Sequence, residues 1–233
     1  MHKLIQHGCL LLCALPVAAS ADPVTVVTRS TGTVSVNPTV LSALGWDYTG
    51  NENELPYTLR LSSTYDWTGP LPARDDWASG YDNQVVVDLR IGSYDYHYAG
   101  TEWSNTILFT SYVLGDDGYE HEVWTNPNPD AYGYSFNFTH AFFGPAGSMG
   151  PGGALTPRLI EQSASNRGFL DVTAYYSNDE YTFSFPLSGA VDSFSVEVTS
   201  PVPEPAPFAL LAAGVLTLGL RPRMKKGAEA PLG

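Results

Sequence analysis

The sequence predicts an all-β fold, an antiparallel β-sandwich of jelly-roll type over residues 22–200. Three observations predict it. Apolar and aromatic residues alternate with period two through most of that span. Clusters of glycine, asparagine, aspartate and serine interrupt the alternation at hairpin spacing. No long amphipathic helix is visible, so eight to eleven short strands must pair without helical crossovers.

The strands follow in order. Leu59, Leu61, Ser63, Tyr65 and Trp67 share one face, as do Val85, Val87, Leu89 and Ile91. Tyr94, Tyr96 and Tyr98 alternate with Ser93, Asp95 and His97. Later come Tyr132, Tyr134, Phe136 and Phe138, then Tyr181, Phe183 and Phe185, then Phe194, Val196 and Val198. Branched and aromatic residues at this spacing suit half-buried strands. One hairpin joins Asn105–Leu114 to Tyr119–Thr125 through Gly115-Asp-Asp-Gly118. Another joins Phe169–Tyr176 to Tyr181–Leu187 through Ser177-Asn-Asp-Glu180. A single short helix is expected over Thr39–Leu44: Asn37 caps it, Pro38 suits its first turn and Gly45 ends it. Phe143–Pro157, with five glycines and three prolines, predicts an exposed, mobile loop. Trp46-Asp-Tyr-Thr-Gly50 recurs in near-mirror form as Tyr65-Asp-Trp-Thr-Gly69 and reads as two strand ends turning at glycine.

Charge divides the 233-residue chain. Between Asp22 and Val202 there are 22 acidic residues, six arginines and no lysine. An acidic body of this kind argues against nucleic acid as a partner, because phosphates require a basic face. The three lysines, Lys3, Lys225 and Lys226, flank apolar segments at the two ends.

Residues 1–21 have the form of a signal peptide. A positive start is followed by the apolar run Leu4–Leu15, by Pro16, and by Ala19-Ser20-Ala21, where signal peptidase is expected to cut after Ala21. Cys9 and Cys13, the two cysteines of the chain, lie inside this segment, so an exported body would carry no thiol. Near the other end the chain reads Pro203-Glu204-Pro205, then an apolar run from Phe208 to Leu220, then Arg221, Arg223, Lys225 and Lys226. As a helix the apolar run would extend about 20 Å, against a hydrocarbon core of about 30 Å. Its basic flank would remain cytoplasmic and leave the body outside. Residues 201–226 form this segment, and 227–233 a short cytoplasmic tail.

This tripartite tail resembles the PEP-CTERM sorting signal of Gram-negative bacteria. The resemblance covers about 25 residues and does not reach the body. It implies an inner-membrane intermediate facing the periplasm, processed near Pro203-Glu204-Pro205 by an exosortase-like transpeptidase and then released to the cell surface or the extracellular matrix. It also implies an association with exopolysaccharide and biofilm. The partners expected are the export machinery, signal peptidase, that transpeptidase and extracellular polysaccharide.

The body offers weaker chemical signals. Glu120, Glu122 and Trp124 fall on one strand face; paired acids beside an indole suit a glycosidase. The stretch Glu120-His-Glu-Val-Trp-Thr125 lacks the central Asp and final Glu of the Glu-x-Asp-x-x-Glu motif that jelly-roll glycosidases carry. Asp75, Asp76, Asp82, Asp116 and Asp117 are candidates for calcium, although no EF-hand loop is present. No Gly-x-Ser-x-Gly or His-Glu-x-x-His motif occurs, and His97, His121 and His140 are scattered. Tyr94, Tyr96, Tyr98, Trp103 and Trp124 are candidates for stacking on sugar rings. The expectation is a non-enzymatic envelope or matrix protein, structural or polysaccharide-binding; the alternative is a secreted glycan-active hydrolase using Glu120 and Glu122.

Overall fold

A computed structural model describes residues 23–67, 70–110, 116–126, 133–163, 168–177 and 182–200. The expected signal peptide, C-terminal apolar helix and sorting motif, and the boundaries drawn through them, lie outside the described residues. Among the described residues, no helix is long and apolar enough to cross a membrane.

The described chain is nearly all strand: β1 (Val24–Ser35), β2 (Glu54–Tyr65), β3 (Trp77–Ile91), β4 (Tyr94–Thr110), β5 (Asp116–Thr125), β6 (Gly133–Pro145), β7 (Arg158–Ser163), β8 (Phe169–Ser177) and β9 (Thr182–Thr199). All pairings are antiparallel. The expected sandwich is corrected here. Strands β1-β2-β3-β4-β5-β6-β8-β9 run in that order, and β9 pairs back with β1, closing an eight-stranded barrel. The short β7 lies beside the C-terminal half of β9, whose N-terminal half pairs with β8. Period-two alternation reports which side of a strand is buried. It does not report whether the sheet doubles over or curls into a ring, so it fits both architectures.

Two apolar cores fill the barrel. One gathers Leu59, Leu61, Val85, Val87, Phe136 and Phe138 around the single helix, α1 (Pro38–Ala43). That helix forms as the sequence predicts: the Asn37 side chain accepts from the Thr39 and Val40 amides, and Gly45 takes φ +85° just beyond the end. Val40 and Leu41 are fully buried, so α1 stoppers one mouth. The other core holds Val26, Leu108, Tyr119, Phe142, Phe194 and Val196. The residues expected to form a mobile loop enter this second core. Phe143–Pro145 continue β6, and Met149, Ala154 and Leu155 are buried. Arg158 binds the segment together, donating to the carbonyls of Met149 (2.6 Å), Pro151 (3.1 Å), Thr156 (3.0 Å) and Gly153. Asp117 accepts from the Gly147 amide at 2.7 Å and pairs with Arg74. Glycines here provide close approach as well as turns: a Cβ on Gly153 would lie 1.8 Å from the Pro72 carbonyl oxygen. Apolar side chains point inward, while Arg29, Arg60, Asp88, Arg90 and Glu197 project outward and pair with one another or with neighbours.

A polar belt separates the two cores. β1 runs inward-facing from Val24 and Val26 through Thr28 and Ser30 to Val34. β2 places Ser63 between Leu61 and Tyr65, β5 places His121 between Tyr119 and Val123, and β6 places His140 between Phe138 and Phe142. His121 and His140 are opposite each other in register. Ser63 Oγ lies 2.7 Å from His121 Nε2, and Thr28 Oγ1 lies 2.8 Å from His121 Nδ1. Thr28 Oγ1 also meets His140 Nε2, and Ser30 Oγ lies 2.7 Å from His140 Nδ1. Three hydroxyls and two neutral imidazoles supply protons enough for all these contacts, so neither ring need be charged. Burial pushes His121 down to about 3 and His140 well below the ordinary imidazole range, the latter also opposed by His121.

Candidate functional site

With both mouths stoppered and the interior filled, chemistry belongs on the outside of the barrel. The outward residues of β4, β5, β6 and β8 form successive rows set by the register. One row runs Trp77, Ile107, Glu120, Ala141, Phe169. The next runs Asn105, Glu122, Thr139, Asp171. Beyond them stand Trp103 and Trp124, meeting edge to face at 6.4 Å, and Tyr175, stacked on Trp124 at 4.9 Å and 22°.

The strands fix these groups tightly. Trp124 Nε1 donates to Glu122 Oε1 at 2.9 Å, and Asn137 Nδ2 donates to the same oxygen. Thr139 Oγ1 donates to Asn137 Oδ1 at 2.7 Å, and Thr173 Oγ1 to Asp171 Oδ1 at 2.6 Å. The result is a half-buried aromatic ladder bordered by oriented carboxylates and an amide. The chemistry of such a surface allows stacking on a flat apolar ring face and hydrogen bonding to hydroxyls around it. Sequence reasoning named Trp103 and Trp124 but missed Tyr175 and Asn137. Their outward parity in the β6 and β8 alternation was the available signal.

Glu120 and Glu122 do come together on this wall. Burial between Ile107 and Ala141 raises the Glu120 carboxyl above its ordinary range, and Glu122 raises it further. A buried carboxyl raised beside a second acid is the electrostatic setting of a glycosidase's general acid. The geometric half is a cleft straddling the scissile bond, whereas these side chains rise from a convex wall.

The remaining candidates lie elsewhere. Tyr94, Tyr96 and Tyr98 face the first core: Tyr94 stacks on Trp46 at 5.6 Å, and Tyr96 packs on Phe136 and Phe138. Tyr98 donates its hydroxyl to Glu102, and burial with that neighbour raises it. The candidate aspartates fall in two places, Asp75 and Asp117 near Thr110 of β4, and Asp82 on β3. Asp75 accepts from the Thr110 amide at 2.6 Å, Asp117 holds Arg74 and Gly147, and Asp82 projects from an irregularity in β3. Among the described residues, no three His, Cys, Asp or Glu side chains are grouped to hold a metal ion.

Fold and wall together define a class: a filled, closed β-barrel with an aromatic outer platform. Comparison with protein-family models, with curated proteins and with solved structures finds no match for this chain.

Proposed function

We propose that this is an exported cell-envelope or extracellular-matrix protein whose barrel binds polysaccharide without cleaving it. The observation that carries the binding reading is the Trp103–Trp124–Tyr175 ladder beside Glu122 and Asn137 on the outer wall. Export and sorting are supported by the sequence of the ends: the cleavage pattern at Ala19–Ala21, and the Pro203-Glu204-Pro205, apolar and basic series that resembles PEP-CTERM tails. In this reading the chain is held in the inner membrane facing the periplasm until an exosortase-like transpeptidase releases it. Glu120 and Glu122 then serve the sugar as hydrogen-bond partners. The raised Glu120 carboxyl beside Glu122 favours hydrolysis as a second reading, which the convex setting opposes.

The test is binding of residues 22–200 to a glycan panel, with and without calcium, alongside reducing-end release. Trp124→Ala should weaken the best ligand by about tenfold, roughly 1.4 kcal/mol. Turnover abolished by Glu122→Gln would replace binding with hydrolysis.

A further inference from the structure

We propose a second ligand site on the barrel: the cleft at the end of β2, which the geometry assigns to a sugar carrying a protonated amino group. The assignment rests on the reading of the body as a glycan binder and deepens it. The cleft has a volume of about 590 Å³ and is lined by Tyr65, Asp66, Trp67, Pro70 and the stretch Ser79–Asn83. That volume suits a small-molecule or short-oligomer site and is wide for a single lysine stem.

The site is built by a β-bulge. The β3–β4 register runs Gly80 to Ser104, then Asn83 to Glu102, so Tyr81 and Asp82 are both expelled opposite Trp103. Asn83 pins the bulge from inside, donating from Nδ2 to the Gly80 carbonyl at 3.1 Å and to Ser104 Oγ at 2.8 Å. Across the cleft, Trp67 Nε1 is committed to the Pro70 carbonyl at 2.8 Å, and its half-buried ring packs on the second core while bordering the cleft. Tyr65 is locked by its contact with Thr106 Oγ1 at 2.7 Å. Tyr81 is 81% exposed, so its ring is open to a ligand at the cleft. This is also where the mirrored Tyr65-Asp-Trp stretch ends.

The charge follows from what the protein does not place there. Asp66 and Asp82 are both exposed and make no ion pair with a described residue. The body has no lysine, and Arg29, Arg60, Arg74, Arg90 and Arg158 are all engaged elsewhere. Two carboxylates with no cationic partner among the described residues, beside two aromatic rings, recognise an organic cation by charge and by cation–π attraction. A sugar ring fills the aromatic part, and its ammonium meets Asp66 and Asp82.

The experiment is calorimetry of residues 22–200 with a glucosamine tetramer and its fully N-acetylated counterpart, at about pH 6 and near-physiological salt. The free-amine tetramer should bind about tenfold more tightly than the acetylated one. Asp82→Asn should remove most of that difference, and Tyr81→Ala should weaken both ligands. Both side chains are exposed, so neither change opens the core. Glu161→Gln, an exposed acid on β7, should change nothing, and Trp124→Ala should leave the amine preference intact. Equal binding of the two tetramers, equal losses from Asp82→Asn and Glu161→Gln, or equal binding of a lysine tetrapeptide would each overturn the assignment. Failure of the wall reading looks different: Trp124→Ala would then leave every glycan unaffected while the Asp82 effect persists.

Discussion

The histidine belt makes acid stability the sharpest test of the fold. His121 and His140 are fully buried and neutral in the native barrel, but each would bind a proton in the unfolded chain below about pH 6.5. Their folded values are depressed. The stability they permit is therefore present above about pH 6.5 and is lost as pH falls toward the folded values. Each contributes a slope of about 1.4 kcal/mol per pH unit. Between about pH 6.5 and 4.5 the pair should cost roughly 5 kcal/mol, a large part of the 5–15 kcal/mol typical of a domain. Glu120 works in the opposite sense, because its folded value is raised and protonation favours the native state. Urea unfolding at a series of pH values measures the net slope. His140→Phe, whose ring would keep the contact with Phe194 (centroids 5.0 Å from His140), should lower stability at neutral pH and roughly halve the acid slope. A wild-type midpoint unchanged between about pH 6.5 and 4.5, or an identical slope in the variant, would refute a neutral buried pair.

Other perturbations test the stoppers and the ends. Arg158→Ala should strand several carbonyls of the 146–157 segment and cost about 1–3 kcal/mol in urea unfolding. Gly153→Ala should be destabilising by about 1–3 kcal/mol, since the methyl would meet the Pro72 carbonyl backbone. Asn37→Ala should lower stability by about 1 kcal/mol through loss of the α1 cap. Glu204→Ala, or removal of Arg221–Lys226, should alter the split between membrane-retained and released protein in a host carrying the processing enzyme. Unchanged fractionation there would count against the sorting reading.

Much of the local structure was legible. The α1 cap, the β8–β9 hairpin and the inward parity of Leu59, Leu61, Ser63 and Tyr65 follow from turn chemistry and period-two spacing, whereas the loop expected at Gly115–Gly118 was misplaced, since Asp116–Gly118 already pair as part of β5. Closure was not legible, because the β1–β9 pairing joins strands far apart in sequence and leaves no local mark. The belt was hidden because threonine and serine suit either face of a strand; only the β5–β6 register brings His121 to His140. The stopper was misread because glycine and proline signal irregular backbone, not exposure. At the functional wall, Trp103 and Trp124 could be named from the sequence, but the choice between inward and outward rings needed the barrel. The bulge at Gly80–Asn83 leaves no periodic mark in the sequence, so Asp82 was read as a calcium candidate and Tyr81 passed unnoticed.

The seam between β1 and β9 has a kinetic consequence. Pairing Thr25 with Thr199 closes nearly the whole described chain into a single loop, and such non-local pairing is slow to form. A chain delivered N-terminus first must hold β1 with one edge unpaired until its final strand arrives, and an unpaired edge invites association with other chains. Ring completion is thus the late, vulnerable event, and chaperoning of that open intermediate is where the maturation of this protein should be most sensitive to crowding and temperature.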